Sequence, residues 1–114
     1  MASYLRYYRN KSGLTQRELA DIVGTLKHHQ VARHESAKAI PSLYAALGYH
    51  VVFKVSVAEL FPGLYESIQQ NAERNLAEFQ RKLEASAPAK PQALEKTAQQ
   101  IVWLRTRNDE PIQI

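Results

Sequence analysis

The sequence predicts a largely α-helical fold, in which several short helices are followed by one long amphipathic helix and a shorter C-terminal helix. Two Ser/Thr-x-x-Glu motifs, Thr15 to Glu18 and Ser56 to Glu59, have the form of helix capping boxes. Apolar residues recur every three or four positions between 64 and 83, which is typical of an amphipathic helix. Only residues 49–57, which are rich in β-branched and aromatic side chains, leave helix and strand open.

The composition of the 114-residue chain excludes several classes of protein. The length suits one compact domain with or without an appendage, and it is too short for a doubly wound nucleotide fold or a (β/α)₈ barrel. The chain has no cysteine, which excludes disulfides, a thiol nucleophile and cysteine-based zinc sites. No apolar run approaches the roughly 20 residues that span a bilayer, and the N-terminus lacks the apolar stretch of a signal peptide. We therefore expect a soluble, cytoplasmic protein.

Start and stop signals divide the first half of the chain into five short helices. Glycine is typical just past the end of a helix, and proline is tolerated in a first helical turn. These signals and the two capping boxes predict a first helix that contains Leu5 and Tyr8 and stops at Gly13, and a second helix from Thr15 to Gly24. A third helix is predicted over 28–36. A fourth begins near Pro41-Ser42, and a fifth runs from Ser56 through Phe61.

The second half of the chain contains the two longer helices. The first runs from about 63 to 86 and would be about 36 Å long. Two prolines within Ser86–Pro91 break it, and a last helix is predicted over about 92–107. We expect a head over 1–62, a C-terminal helical region over 63–107 and a flexible tail over 108–114.

Positive charge is concentrated in the first half of the chain. Residues 1–55 contain eight Lys or Arg and three acidic residues, a net charge of +5, whereas residues 56–114 contain seven basic and eight acidic residues, a net of −1. All four histidines also lie in the first half. This asymmetry favours a polyanion-binding head on a tail that contacts protein.

The motifs of the first half resemble a known family of DNA-binding proteins. Gly13-Leu-Thr-Gln-Arg-Glu-Leu-Ala20 is followed by Val31-Ala-Arg-His-Glu35, by Pro41-Ser-Leu43 and by Val55-Ser-Val-Ala-Glu-Leu-Phe61. Over residues 4–61 these stretches resemble the Cro/repressor-type helix-turn-helix family, also called XRE-like. The resemblance implies an all-α fold with a five-helix head, in which residues 43–53 are helical, and it implies binding to double-stranded DNA.

In such a head the second helix of the pair, here 28–36, enters the major groove and its N-terminal side chains meet base edges. With Val31 placed inward and 100° per residue, His34 and Glu35 point toward the body of the head. Outward or flanking positions give the expected base contacts, which are His28, His29, Gln30, Ala32 and Arg33. Arg33 could bridge O6 and N7 of guanine, and Gln30 could pair with adenine.

The remaining expected roles are phosphate contacts and a structural ion pair. The resemblance places Gln16 at a phosphate, and Arg17, Lys27 and Lys38 are further candidates for contacts that position the protein without reading sequence. By the same resemblance, Arg9 and Glu35 form a buried bridge. The chain departs from the family pattern in its longer turn Gly24-Thr-Leu-Lys27, and in Ala37, which stands where glycine would suit a left-handed cap.

These features predict a sequence-specific transcriptional regulator that acts as a repressor, on a palindromic operator, in a bacterial or phage setting. The apolar stripe of the long amphipathic helix must be buried against other protein surface. Homodimerisation through residues 63–107 is the preferred interpretation of this C-terminal region. The alternative is an antitoxin or protein-interaction module whose C-terminal helices bind a partner protein. The spacing of the four histidines does not suit a metal site. No phosphate loop or nucleophile motif is present, so we expect neither catalysis nor a cofactor.

Overall fold

The structure is a computed structural model that describes residues 2–85 and 91–112. These residues form seven α-helices and no strand, as the all-α prediction requires. The helices are α1 Leu5–Ser12, α2 Gln16–Val23, α3 His28–Glu35, α4 Leu43–Phe53, α5 Val57–Leu60, α6 Pro62–Ala85 and α7 Pro91–Asn108. The chain divides into two compact units, Met1–Ile68 and Gln69–Ile114, and the boundary between them lies inside α6.

The first two helices begin and end where the sequence predicts. Gly13 and Gly24 follow them with left-handed φ angles of 79° and 99°. At the start of α2, the hydroxyl of Thr15 accepts from the Glu18 backbone N–H at 3.1 Å, and the Glu18 carboxylate accepts from the Thr15 N–H at 2.9 Å. The first capping box is therefore complete.

The stretch 49–57, which was open between helix and strand, contains the end of α4, the turn after it and the first residue of α5. Burial of Ala45, Ala46 and Tyr49 in the core outweighs the β propensity of the neighbouring residues. The hydroxyl of Ser42 accepts from the Ala45 N–H at 3.2 Å and so caps the helix. Pro41 therefore lies two residues before the first residue of α4, Leu43, and the prediction that placed it in the first turn is wrong.

Only half of the second capping box is present. The hydroxyl of Ser56 accepts from the Glu59 N–H at 3.1 Å, which starts α5. Within the described residues, the Glu59 carboxylate makes no hydrogen bond back to the Ser56 backbone. The side chain of Glu59 is therefore available for another role.

The core of the first unit is built from all of its short helices. Each of the five short helices contributes one large, fully buried side chain, and so does the residue after α5. These side chains are Leu5, Leu19, Val31, Tyr49, Leu60 and Phe61. At Gly48 of α4, a Cβ atom would lie 2.8 Å from a methyl carbon of Val23 in α2. Glycine therefore allows these two helices to approach closely.

The second unit contains the end of α6 and all of α7, which pair as an antiparallel hairpin. Arg107 and Glu73 form an ion pair at 2.6 Å, and Leu104 is buried beside Leu76 and Gln80. The predicted break over Ser86–Pro91 falls mostly outside the described residues, as does the end of the predicted tail at 113–114.

Candidate nucleic-acid interface

Helix α3 presents its N-terminal half to solvent. Val31 and His34 are buried, whereas His28, His29 and Arg33 are exposed and Ala32 is half-buried. This is the orientation that 100° per residue predicts when Val31 faces the core. The side chains expected to meet bases therefore lie on an accessible face.

Two clefts join the start of α3 to its neighbours. Arg17, Lys27, His28 and His29 line a cleft of about 360 Å³, in which Asp21 is the one acidic lining residue. A second cleft, of about 500 Å³ at the start of α2, is lined by Arg6, Gln16, Arg17 and His28 among others. Arg17 and His28 line both clefts, so the two are adjacent. We refer to Arg6, Arg17, Lys27, His28 and His29 together as the basic face.

A buried carboxylate holds α1, α2 and α3 together beneath this face. Arg9 donates to the two carboxylate oxygens of Glu35 at 2.6 and 3.0 Å and to the carbonyl of Leu14 at 2.9 Å. Gln16 donates its side-chain amide to Glu35 at 3.2 Å. The hydrogen bond to Glu35 raises the pKa of Arg9 further above its usual value, although burial opposes this. The ion pair expected from the sequence is therefore present.

The match to a known family falls on the same helices. Residues 5–60 match the family model described as helix-turn-helix. This segment is an XRE-type helix-turn-helix domain. None of the curated proteins or solved structures compared with the chain matches it significantly. The family is one of DNA-binding regulators, which in general are not enzymes, and α6 and α7 lie outside the matched segment.

Within the helix-turn-helix domain, Gln16 and Gln30 already have structural partners. The side chain of Gln16 gives one of its two amide hydrogens to Glu35, so it can offer a phosphate its other amide hydrogen and its backbone N–H in the first turn of α2. Gln30 accepts from the Lys27 N–H through its side-chain oxygen at 2.8 Å and caps α3. The two-bond pairing with adenine needs that oxygen, so it would compete with the cap.

The other expected residues lie toward the far end of α3. Arg33 is exposed and lines a smaller cleft with Gln30 and Ile40. Lys38 is exposed beyond the last turn, where its N–H donates to the carbonyl of Arg33 at 2.9 Å. Ala37, just before it, has a left-handed φ of 59°. Lys27 and Lys38 therefore stand beyond opposite ends of α3, whose eight residues are roughly 12 Å long.

Sequence reasoning missed Arg6, which the structure adds to the basic face. Its side chain is 72% exposed, and its nitrogen lies 4.0 Å from the Glu35 carboxylate. The spacing of Arg6 and Arg9, three residues apart on one helix, was the available signal. The cap formed by Gln30 was also missed, although Lys27-x-x-Gln30 has the spacing of a capping box.

His34 links α3 to the core. Its Nδ1 lies 2.7 Å from the hydroxyl of Tyr49. Burial, and then the charge of Arg33, lowers the pKa of His34, whereas burial raises the pKa of Tyr49. This hydrogen bond joins α3 to α4 inside the core.

Neither a metal site nor a membrane helix is found in residues 2–85 and 91–112. No three His, Asp or Glu side chains in that part of the chain are grouped to hold a metal ion. No helix there is both long and apolar enough to cross a bilayer.

Proposed function

We propose that the protein is a sequence-specific transcriptional repressor that places α3 in the major groove of double-stranded DNA. One observation carries this proposal. The N-terminal half of α3 is exposed, and the cations of the basic face surround it. A helix inserted into the groove needs cations on its flanks to meet the phosphates, and base edges can then be read.

The base contacts follow from the exposed side of α3. Arg33 offers two parallel donors to O6 and N7 of guanine, and His29 donates to guanine or accepts from cytosine. Ala32 presents a methyl group to thymine, and His28 stands where the helix enters the groove. Gln30 keeps its amide donors for adenine while its oxygen caps the helix.

Phosphate contacts lie on both sides of this helix. Arg17, Lys27 and the added Arg6 flank its N-terminal end, and Lys38 flanks its C-terminal end. Gln16 contributes its backbone N–H at the start of α2. These groups fix the orientation of the head and carry no sequence information.

The C-terminal hairpin supports homodimerisation. Leu104 is the one fully buried side chain of the second unit within the described residues, whereas Leu94 and Val102 of α7 are 50% and 63% exposed. A hairpin that buries so little does not offset the entropy of ordering its residues. A second copy that covers α7 would bring two heads onto one duplex, and two-fold symmetry implies a palindromic operator. In the cytoplasm of a bacterium, or of a bacterium infected by a phage, the bound dimer would exclude RNA polymerase from the DNA that it covers.

Selection of bound sequences from a random duplex pool tests the DNA proposal. We expect a palindromic consensus with half-sites about one helical turn apart. Arg33→Ala should then relax preference at one base pair per half-site, with a loss of about 1–3 kcal/mol against the preferred base, and leave the melting temperature nearly unchanged. Arg74→Ala, at an exposed arginine of α6, is the matched control. An unchanged preference profile for Arg33→Ala would contradict the assigned reading face.

Sedimentation of two charge variants tests the dimer. Val102→Lys places a charge on the exposed apolar face of α7 and should give a monomer, whereas Asn10→Lys places the same charge at an exposed position of α1, outside the second unit, and should leave the dimer intact. The same apolar face would also suit the helices of a partner protein, which is the antitoxin or interaction-module alternative. A wild-type protein that sediments as a monomer on its own operator would favour that alternative.

A further inference from the structure

A further cleft of the head lies away from the basic face, between α1, α5 and the start of α6. It has a volume of about 520 Å³ and is lined by Tyr4, Tyr7, Tyr8, Ala58, Glu59 and Pro62. We refer to these six residues as the aromatic cleft. Three of them are tyrosines, one is a carboxylate and none is basic, so the lining differs in kind from that of the DNA-facing clefts.

The aromatic cleft is on the opposite side of α1 from the ion pair. At 100° per residue, Tyr7 lies about 160° around the helix from Arg9, which binds Glu35. A carboxylate in this cleft disfavours a DNA phosphate. The tyrosines are therefore poorly placed to contribute to the DNA interface, and their exposure needs another explanation.

The rings form a corner suited to a cation. Tyr7 and Tyr8 meet edge to face, with centroids 5.1 Å apart and ring planes at 80°. Tyr4 and Tyr7 are 52% and 58% exposed, so ring surface is uncovered. The ammonium of Lys11 lies 6.0 Å from the centroid of Tyr7, within reach of the attraction between a cation and a π face, so a cationic ligand has to compete with Lys11 for this ring.

Glu59 supplies the opposite charge. Its backbone N–H is used by Ser56, but its carboxylate makes no hydrogen bond or ion pair within the described residues. A small metal cation would keep its water rather than contact rings, and a neutral ligand would gain nothing from the carboxylate. We propose that the aromatic cleft binds a quaternary ammonium group, whose charge is spread over methyl groups that pack on the tyrosine faces.

Calorimetry on the full chain, without DNA, tests this site directly. The probes are choline and its neutral isostere 3,3-dimethylbutan-1-ol, at constant ionic strength. We expect saturable choline binding with one site per chain, and at least roughly tenfold weaker binding of the isostere. Equal binding of the two probes would show an apolar cleft without charge recognition, and an absence of saturable choline binding would show no site. Either result overturns the proposal and leaves the DNA proposal untouched.

Three variants locate the site. Tyr7→Leu keeps apolar bulk and removes the π face, and Glu59→Gln keeps the shape and removes the charge. Each should weaken choline binding by roughly threefold to thirtyfold, with helical circular dichroism and DNA affinity unchanged. Tyr44→Leu, at an exposed tyrosine of α4 outside the cleft, should change nothing. If Tyr7→Leu and Glu59→Gln bind choline as the wild type does, the cation lies elsewhere and the proposal fails.

Discussion

Removal of the Glu35 carboxylate should strongly destabilise the head. The carboxylate accepts two hydrogen bonds from Arg9 and one from Gln16, and the side chains of Arg9 and Glu35 are only 11% and 4% exposed. Glu35→Ala therefore leaves a largely buried guanidinium without its carboxylate partner. Breaking a buried pair in this way costs about 3–5 kcal/mol, which is a large part of the free energy of unfolding of a small domain.

Urea denaturation of a double-mutant cycle measures this cost. Arg9→Leu with Glu35→Leu removes both charges at once, so it should cost less than either single change, with a coupling of at least about 2 kcal/mol. The control is Glu73→Ala, which breaks the more exposed ion pair with Arg107 and should cost about 0–1 kcal/mol. A loss below about 1 kcal/mol for Glu35→Ala, or simple additivity in the cycle, would refute the argument.

Three further changes test the packing and the backbone. Ala37→Gly removes the strain of a left-handed backbone at a residue with a Cβ atom, and it should raise the free energy of unfolding by about 0.5–1 kcal/mol in denaturant titrations. Ala39→Gly, at a residue without a positive φ, is the control and should lower that free energy. Gly48→Ala should lower it by about 1–3 kcal/mol, because the added methyl meets Val23, and an increase would show that α2 and α4 can separate freely. Burial lowers the pKa of His34, so the unfolded chain takes up a proton that the folded chain refuses. The stability should therefore fall as the pH drops below about 6.5, and this fall should be shallower in His34→Gln.

Local signals in the sequence were sufficient to predict most helix boundaries. Gly13 and Gly24 require left-handed backbone, and Thr15 with Glu18 satisfies the first turn of α2, so these ends depend on a few adjacent residues. Residues 49–53 could not be assigned in this way, because burial of Tyr49 in the core decides their conformation.

The candidate interface was predictable only in part. The outward direction of Arg33 follows from helical periodicity once Val31 is placed inward, and the structure agrees. The engagement of Gln16 by Glu35 depends on how two helices are packed, which no local pattern encodes. The same holds for the aromatic cleft, whose residues Tyr7 and Glu59 are far apart in the chain.

The salt dependence of duplex binding tests the central claim most directly. If Arg6, Arg17, Lys27 and Lys38 of two protomers each neutralise a phosphate, a plot of log K against log salt should be linear with a slope of about −7. Lys27→Gln in both protomers should reduce that slope by about 2, whereas Lys96→Gln on α7, with the same loss of charge, should leave it unchanged. An affinity that is flat across salt, or an equal effect of the two variants, would contradict a DNA interface at the start of α3.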